Sequence, residues 1–431
     1  MDDKKILNKL ISSVKEDSTR ALGCTEPVAI AYTAYEAGRR IKDDKIKKLT
    51  ISTSKSIYKN AKSVKIPNTK GRHGIDLAGA IGLYSKDLDI APTLIFESLT
   101  EEILDKSLKL VDDGLVEVKY LENTPNIYIS IKVETENSNV EAIVENGHTK
   151  LKEVLVDGKL VFSADEEKET EEKVDDFNFR DLSLEKLKAI VDQADPKDLM
   201  FTLEGIEVNK KAAQEGLKGY GSKLGKTLQG LRDKKIIEDN VLTKTRILTA
   251  AAADMRMGGG QCEVFTSGGS GNQGIGVILP ISVVGKHEKI SDENLAKALF
   301  FAHVLNKYVK EYSGKLSGIC GCAIGAGVGA AAGIVYMLGG DEKQIAGACS
   351  NLYGNLTGMI CDGAKESCSM KLSTCAEESV VAAYLALNGM ITDDNVGVVG
   401  GSIEETILNV GKLSKEAFTQ VDEVVIDIID R

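Results

Sequence analysis

Eight cysteines, at positions 24, 262, 320, 322, 349, 361, 368 and 375, carry the most reactive chemistry in this 431-residue chain. Cys24 stands in Gly23-Cys24-Thr25-Glu26-Pro27, at or just before a predicted helix start, because a proline suits a first turn. Cys320 and Cys322 head a long run of small residues, and Cys361 and Cys368 occupy a turn ahead of another predicted helix. Helix N-termini favour anions and lower thiol pKa, so thiolates are favoured at all three places. Three thiolates converging from such helix heads could hold an iron–sulfur cluster, which ordinarily takes four cysteine ligands, and a cluster held by three keeps one iron open. Cys262, Cys349 and Cys375 lie inside ordinary patterns and read as small buried hydrophobes. With only four histidines, at 73, 148, 287 and 303, and no paired two-residue cysteine spacing, a structural zinc site is not indicated.

A second group of residues could bind an anion. Thr266-Ser-Gly-Gly-Ser270-Gly271-Asn272-Gln273-Gly-Ile-Gly276 interleaves glycines with a hydroxyl and two amides. Glycine permits close backbone approach, and successive N–H groups can cradle a carboxylate or phosphate. Arg256, just upstream, suits bidentate carboxylate recognition. The polar turn Ile66-Pro67-Asn68-Thr69-Lys70-Gly71-Arg72-His73-Gly74 could bring Asn68 and His73 over such a site, and Lys365 and Lys371 flank Cys368 as candidate bases.

Gly23-Cys24-Thr25-Glu26-Pro27, Gly269-Ser270-Gly271-Asn272-Gln273-Gly274, Cys320-Gly321-Cys322 and Cys361-Asp362-Gly363-Ala364-Lys365 with Cys368 together resemble the L-cysteine desulfidase family, which is related to the iron–sulfur L-serine dehydratases. The resemblance spans nearly the whole chain. It implies an oxygen-sensitive [4Fe-4S] lyase that converts L-cysteine to sulfide, ammonia and pyruvate without pyridoxal phosphate, with Cys24, Cys322 and Cys361 as cluster ligands. Cys320 and Cys368 are close enough in sequence to exchange roles with them. On this reading Ser270, Gly271, Asn272, Gln273, Asn68 and Arg256 bind a small amino-acid substrate, and Lys365 and His73 are the candidate proton carriers. A serine dehydratase is the near alternative. A pyridoxal-phosphate lyase is a more distant one: Ser270 to Ile275 is similar to its carboxylate loop, but no lysine-bearing segment of the expected kind precedes it. An iron–sulfur sensor would need an output surface such as a basic DNA-binding face, which an acidic chain does not offer.

These residues need a scaffold, and its texture is legible. Residues 1–45 read as two helices that must pack on the C-terminal half if Cys24 is to meet the other thiols. Residues 46–163 alternate β-branched segments with helices near 70–85 and 99–113, an inserted α+β unit. Residues 164–182 are an acidic run read as a linker. Residues 183–431 read as a helical catalytic domain, with a strand-like break at Gly276–Val284. The fold class expected is therefore α+β and multidomain, the helical part discontinuous. Leu316 to Gly340 is uncharged, but Gly321, Gly325, Gly329 and Gly333 recur every fourth residue, which suits a buried helix that lets a neighbouring backbone approach. The net charge of −11, from 54 basic and 65 acidic residues, argues against nucleic acid or an anionic membrane as partner. No apolar signal segment opens the chain, so a cytoplasmic location is expected, with a homo-oligomer as one assembly the glycine-lined faces allow.

Overall fold

The computed structural model describes residues 2–430 except 43, 88, 90, 165–177 and 315, so most of the acidic run at 164–182 lies outside the described residues. The chain starts with α1 (Asp3–Asp17), the two-residue β1 (Arg20–Ala21) and α2 (Thr25–Gly38). It continues with β2 (Ile46–Ser54), α3 (Lys55–Ala61), α4 (Ile75–Tyr84) and α5 (Glu101–Asp112). β3 (Val116–Leu121), β4 (Tyr128–Thr135), β5 (Asn139–Glu145), β6 (Leu151–Val156) and β7 (Lys159–Ser163) follow. The sheet order is β3-β2-β4-β5-β6-β7, with β2 and β3 parallel and the other neighbours antiparallel. Leu155 to Phe162 is a hairpin rather than one strand, because Asp157 and Gly158 both take positive φ, as a tight two-residue turn requires.

α2 and α4 cover this sheet and touch through their backbones: a Cβ on Gly82 would lie 1.9 Å from the Ala31 carbonyl oxygen. Residues 1–45, expected to pack together on the C-terminal half, thus divide between two cores. α1 places Ile6, Leu10 and Val14 in the large helical core, whereas Val28 to Ile41 belong to the core of the sheet. The reason lies in the sequence of α2: with Val28, Ala29, Ile30, Ala31, Ala34 and Ala37 all buried it can lie flat on both sheet and α4.

The helical half runs through α6 (Leu184–Gln193), α7 (Pro196–Leu199), α8 (Glu204–Gly216), α9 (Leu224–Asp233) and α10 (Val241–Met257) to β8 (Val264–Phe265), α11 (Gly271–His287) and α12 (Asp292–Ser313). A π-helical turn at Cys322–Gly327 leads into α13 (Val328–Met337), followed by α14 (Glu342–Leu356), α15 (Cys368–Leu387), α16 (Ile403–Glu416) and α17 (Thr419–Ile429). The segment Gly276–Val284 is not a strand but the middle of α11, with Pro280 inside it. Its apolar run is buried on all sides, and a continuous apolar run does not separate a core strand from a core helix. The glycine stripe acts as expected of close packing. Cβ atoms on Gly329 and Gly333 would lie 2.7 and 3.0 Å from the carbonyl oxygens of Ala302 and Ala298 on α12. No helix among the described residues is long and apolar enough to cross a membrane.

Candidate active site

Three short connections bring the motifs together. The first is the pairing of β1 with β8, Arg20 opposite Phe265 and Ala21 opposite Val264, which draws the approach to Cys24 alongside the glycine-rich segment. Gly23 takes φ +78 and packs against Pro67, where a Cβ would come within 2.9 Å, so the 66–74 loop closes over this turn. Cys24 is then the N-cap residue of α2 and is buried. Its thiol donates to Met257 Sδ at 3.6 Å, at the end of α10.

The second connection is a two-residue ladder between the remaining motifs. Cys320 N–H donates to the Met359 carbonyl and Cys361 N–H to the Gly318 carbonyl, both at 2.8 Å. The arm 318–320 therefore runs antiparallel to 359–361, and Cys320 and Cys361 share one locality although forty-one positions separate them. Cys322 opens the π-helical turn and Cys368 opens α15, its thiol aimed at the Gly363 carbonyl at 3.6 Å. π-Helical turns concentrate at functional sites, because they free backbone groups from the regular ladder.

The third is the glycine-rich segment itself. Ser267 and Ser270 pair across a tight turn whose two central residues, Gly268 and Gly269, have φ +53 and +73. Gly274 is where α11 meets β8: a Cβ there would lie 1.9 Å from the Phe265 carbonyl oxygen. These glycines are thus required by the turn and by close approach, and the anion-binding feature that remains is the head of α11, whose first amides have no partner within the helix. Behind the turn lies a buried polar network. Asn306 Nδ2 donates to Ser267 Oγ at 2.9 Å, and Ser267 Oγ and His303 Nδ1 share a hydrogen bond at 2.8 Å. Burial pushes His303 down to about 4, so this ring is neutral.

Arg256 reaches the head of α11. Its Nη1 donates to Asn272 Oδ1 at 3.0 Å and approaches Met257 Sδ at 3.5 Å, while Asn272 Nδ2 also donates to Met257 Sδ. The residue is 5% exposed, Nε has no hydrogen-bond partner, and the partners found for the guanidinium among the described residues, Asn272 and Met257, are uncharged. Gln273 extends from α11 to the cysteine arm: a Cβ on Gly321 would meet Gln273 Nε2 at 2.4 Å. Cys24, Arg256, Asn272, Gln273, Cys320 and Cys322 thereby form one continuous neighbourhood. Ser270 is the N-cap of α11, and its side chain makes no capping bond.

The other predicted residues lie around it. Asn68, in the left-handed region at φ +63, donates to the Phe96 carbonyl at 2.7 Å and, with Gly71, Tyr220 and Gly258 to Gln261, lines a cavity of about 530 Å³. His73 is exposed and pairs by its backbone with Lys65. Lys365 is bound to Asp362 at 2.5 Å, and Lys371 also donates to Asp362 and to the Ile360 carbonyl, so neither lysine is a free base.

The thiols act on one another. Burial pushes Cys24 up to about 12, with Arg256 opposing and the charge of Cys368 adding to the rise. Burial likewise pushes Cys368 up to about 11, and Cys320 and Cys361 add to it. Cys320 is pulled down because the Cys322 thiol donates to it, and Cys322 is held up by the same contact. Cys375, read as a plain hydrophobe, is buried against Met359 and feels Cys320. Cys349 is such a hydrophobe, on the buried face of α14. No three His, Cys, Asp or Glu among the described residues are spaced for a single metal ion. The donor set nevertheless fits an iron–sulfur cluster by its chemistry: soft thiols, Cys24 and Cys320 buried and Cys322, Cys361 and Cys368 partly buried. Cys24 and Cys368, which burial holds neutral, are thiols that a cluster would deprotonate on binding.

Sequence reasoning missed Lys59 on α3, a lysine 2% exposed whose Nζ donates to the Cys361 carbonyl at 2.9 Å. The available signal was the spacing Lys55, Lys59, Lys62 on one side of α3, matched by the acidic Asp422, Glu423 and Asp430 of the last helix and the residue after it.

Comparison with known proteins gives this arrangement a family. Residues 140–427 match the serine dehydratase alpha chain family. The UPF0597 protein of Clostridium botulinum strain Hall is 44% identical over 99% of this chain and 98% of its own length. That of Elusimicrobium minutum is 37% identical over 99% of both, and that of Desulforapulum autotrophicum 35% identical over 96% of both. By its match over residues 140–427 the chain belongs to the serine dehydratase alpha chain family of lyases, and along nearly its full length it is a relative of the UPF0597 proteins.

Proposed function

We propose that the chain is a [4Fe-4S]-dependent L-cysteine desulfidase that performs a β-elimination without net electron transfer. Arg256 carries the reading: a buried guanidinium with no acidic partner among the described residues, beside Cys24 and the head of α11, is stable only if an anion completes it. An amino-acid carboxylate is the anion of suitable size and shape. Cys24, Cys322 and Cys361 hold the cluster in this reading, with Cys320 and Cys368 in the same group of thiols. When bound, the cluster supplies Lewis acidity at an iron without a protein ligand, which makes sulfide a better leaving group.

The chain's own residues do the rest. Arg256 and the first amides of α11 fix the carboxylate and offset its charge, which eases loss of the α-proton. Asn272 and Gln273 orient the substrate between that anchor and the thiols. His73 and Lys365 are the candidate proton carriers of this reading, Lys365 being paired with Asp362. Loss of the α-proton and of the β-sulfur leaves aminoacrylate, which becomes an imine that water hydrolyses to pyruvate and ammonia. Family membership favours one competing reading, elimination of water from L-serine. Protein reconstituted without oxygen decides between them: sulfide, ammonia and pyruvate in equal amounts, with kcat/KM for cysteine above that for serine, are expected. Full activity in material containing neither iron nor inorganic sulfide overturns the proposal.

A further inference from the structure

The buried lysine on α3 makes contacts that a purely structural ion pair does not need. Lys59 Nζ lies 2.5 Å from Asp422 Oδ1 on α17, and Asp422 Oδ2 accepts from Ser56 Oγ at 2.8 Å, so the carboxylate has two donors. The same ammonium donates to the Cys361 carbonyl. The Lys59 carbonyl in turn presses on Gly363, where φ is +89 and a Cβ would lie 2.6 Å from that oxygen. Both polar ends of one buried residue thus bear on the loop 361–363. Around this pair, Lys55 meets Glu423 at 2.5 Å, and Tyr58 and Lys62 meet Asp430. These outer pairs already tie α3 to α17, and they are partly exposed, where ion pairs add little. A buried pair is weak evidence of stabilisation, since an apolar pair of the same volume fills such a space at no loss.

We propose that Lys59 is the positioning residue for Cys361: its ammonium fixes the main chain that presents the thiol and sets a buried positive charge beside the cofactor site, while Asp422 governs how much of that charge the site feels. The inference rests on the reading of Cys361 as a cluster ligand. Outer partners of this kind orient ligands and tune the metal centre.

The test uses the full chain reconstituted without oxygen, reading iron and acid-labile sulfide per chain and the midpoint potential of the cluster. Lys59→Gln keeps a donor for the Cys361 carbonyl but removes the charge, so the potential should shift negative. Asp422→Asn leaves the ammonium uncompensated, so the potential should shift positive. Lys59→Met removes donor and charge, and metal affinity should fall about 10- to 100-fold. A merely structural lysine gives no such opposition of sign, so potentials that stay put or move together in the two variants overturn the proposal. If Lys59→Gln does not fold, Asp422→Asn decides alone: a positive shift supports the assignment and an unmoved potential refutes it. If the unaltered chain takes up no iron, the cluster reading fails and this inference falls with it. If it takes up iron and the variants match it in every readout, only the role of Lys59 is lost.

Discussion

Replacing Arg256 with glutamine should separate stability from substrate use. The guanidinium is 5% exposed and is held by Asn272 Oδ1 at 3.0 Å, with Nε unpartnered. Losing that one hydrogen bond costs about 1.5–3 kcal/mol, because the donor is charged. Against it stands the relief of burying a charge without a counter-ion, a penalty of several kcal/mol that glutamine does not incur. Stability should therefore change by no more than about 1 kcal/mol, or rise, as these two terms offset each other. Turnover should move the other way. Removing one partner of a buried, hydrogen-bonded charge pair costs about 2–5 kcal/mol, and each 1.4 kcal/mol is a factor of about ten, so kcat/KM should fall by roughly 30- to 3,000-fold. Denaturant unfolding, iron content and sulfide release on the same preparations measure the three quantities. A variant that loses more than about 2 kcal/mol of stability while keeping its kcat/KM would show that Arg256 is a structural ion whose anion is part of the fold, and the substrate-carboxylate assignment would be wrong.

Three further outcomes are expected. Cys322→Ser and Cys361→Ser should abolish retention of iron, whereas Cys349→Ala, at a fully buried thiol on the inner face of α14, should lose roughly 1–2 kcal/mol of stability and keep its iron, both read by metal analysis and denaturant unfolding. Gly363→Ala should displace the cysteine loop, because its φ of +89 strains any side chain and the obstacle at 2.6 Å is the Lys59 backbone rather than a movable tip; roughly 1–3 kcal/mol of stability and most of the bound iron should go. His303, neutral when folded at about 4 and ordinarily near 6.5, gains its proton only on unfolding across that window. Stability is therefore intact above pH 6.5 and falls as pH drops toward 4, by roughly 2 kcal/mol at pH 5 from this ring, and His303→Gln should flatten that part of the pH–stability curve. An unchanged slope would mean that the ring charges inside the fold.

What the sequence made legible is what short-range physics controls. The β-branched alternation of residues 46–163, the helix heads at Cys24 and Cys368, and the glycine stripe from Gly321 to Gly333 each announce themselves within a dozen residues, and each is where its pattern puts it. α11 was misread because its apolar run is surrounded on every side, and periodicity vanishes when no face is wet. The glycine-rich segment is legible as a place but not as a device: three of its five glycines serve a turn and a helix–strand contact, and only the head of α11 is left for an anion. What stayed hidden depends on partners far away in the chain. Arg256 looks like any arginine until the absence of a nearby acid is known, and Lys59 looks like a surface lysine until Asp422 and the Cys361 carbonyl, more than 300 positions on, are found at its tip. The same logic explains why the unusual charges sit here. Elsewhere the lysines and arginines pair at the surface, where a pair is worth little and is easily replaced. Among the described residues two such cations are almost completely buried: Lys59, which Asp422 already neutralises while its ammonium also holds the Cys361 carbonyl, and Arg256, which has no acid and on the proposed reading waits for the substrate carboxylate.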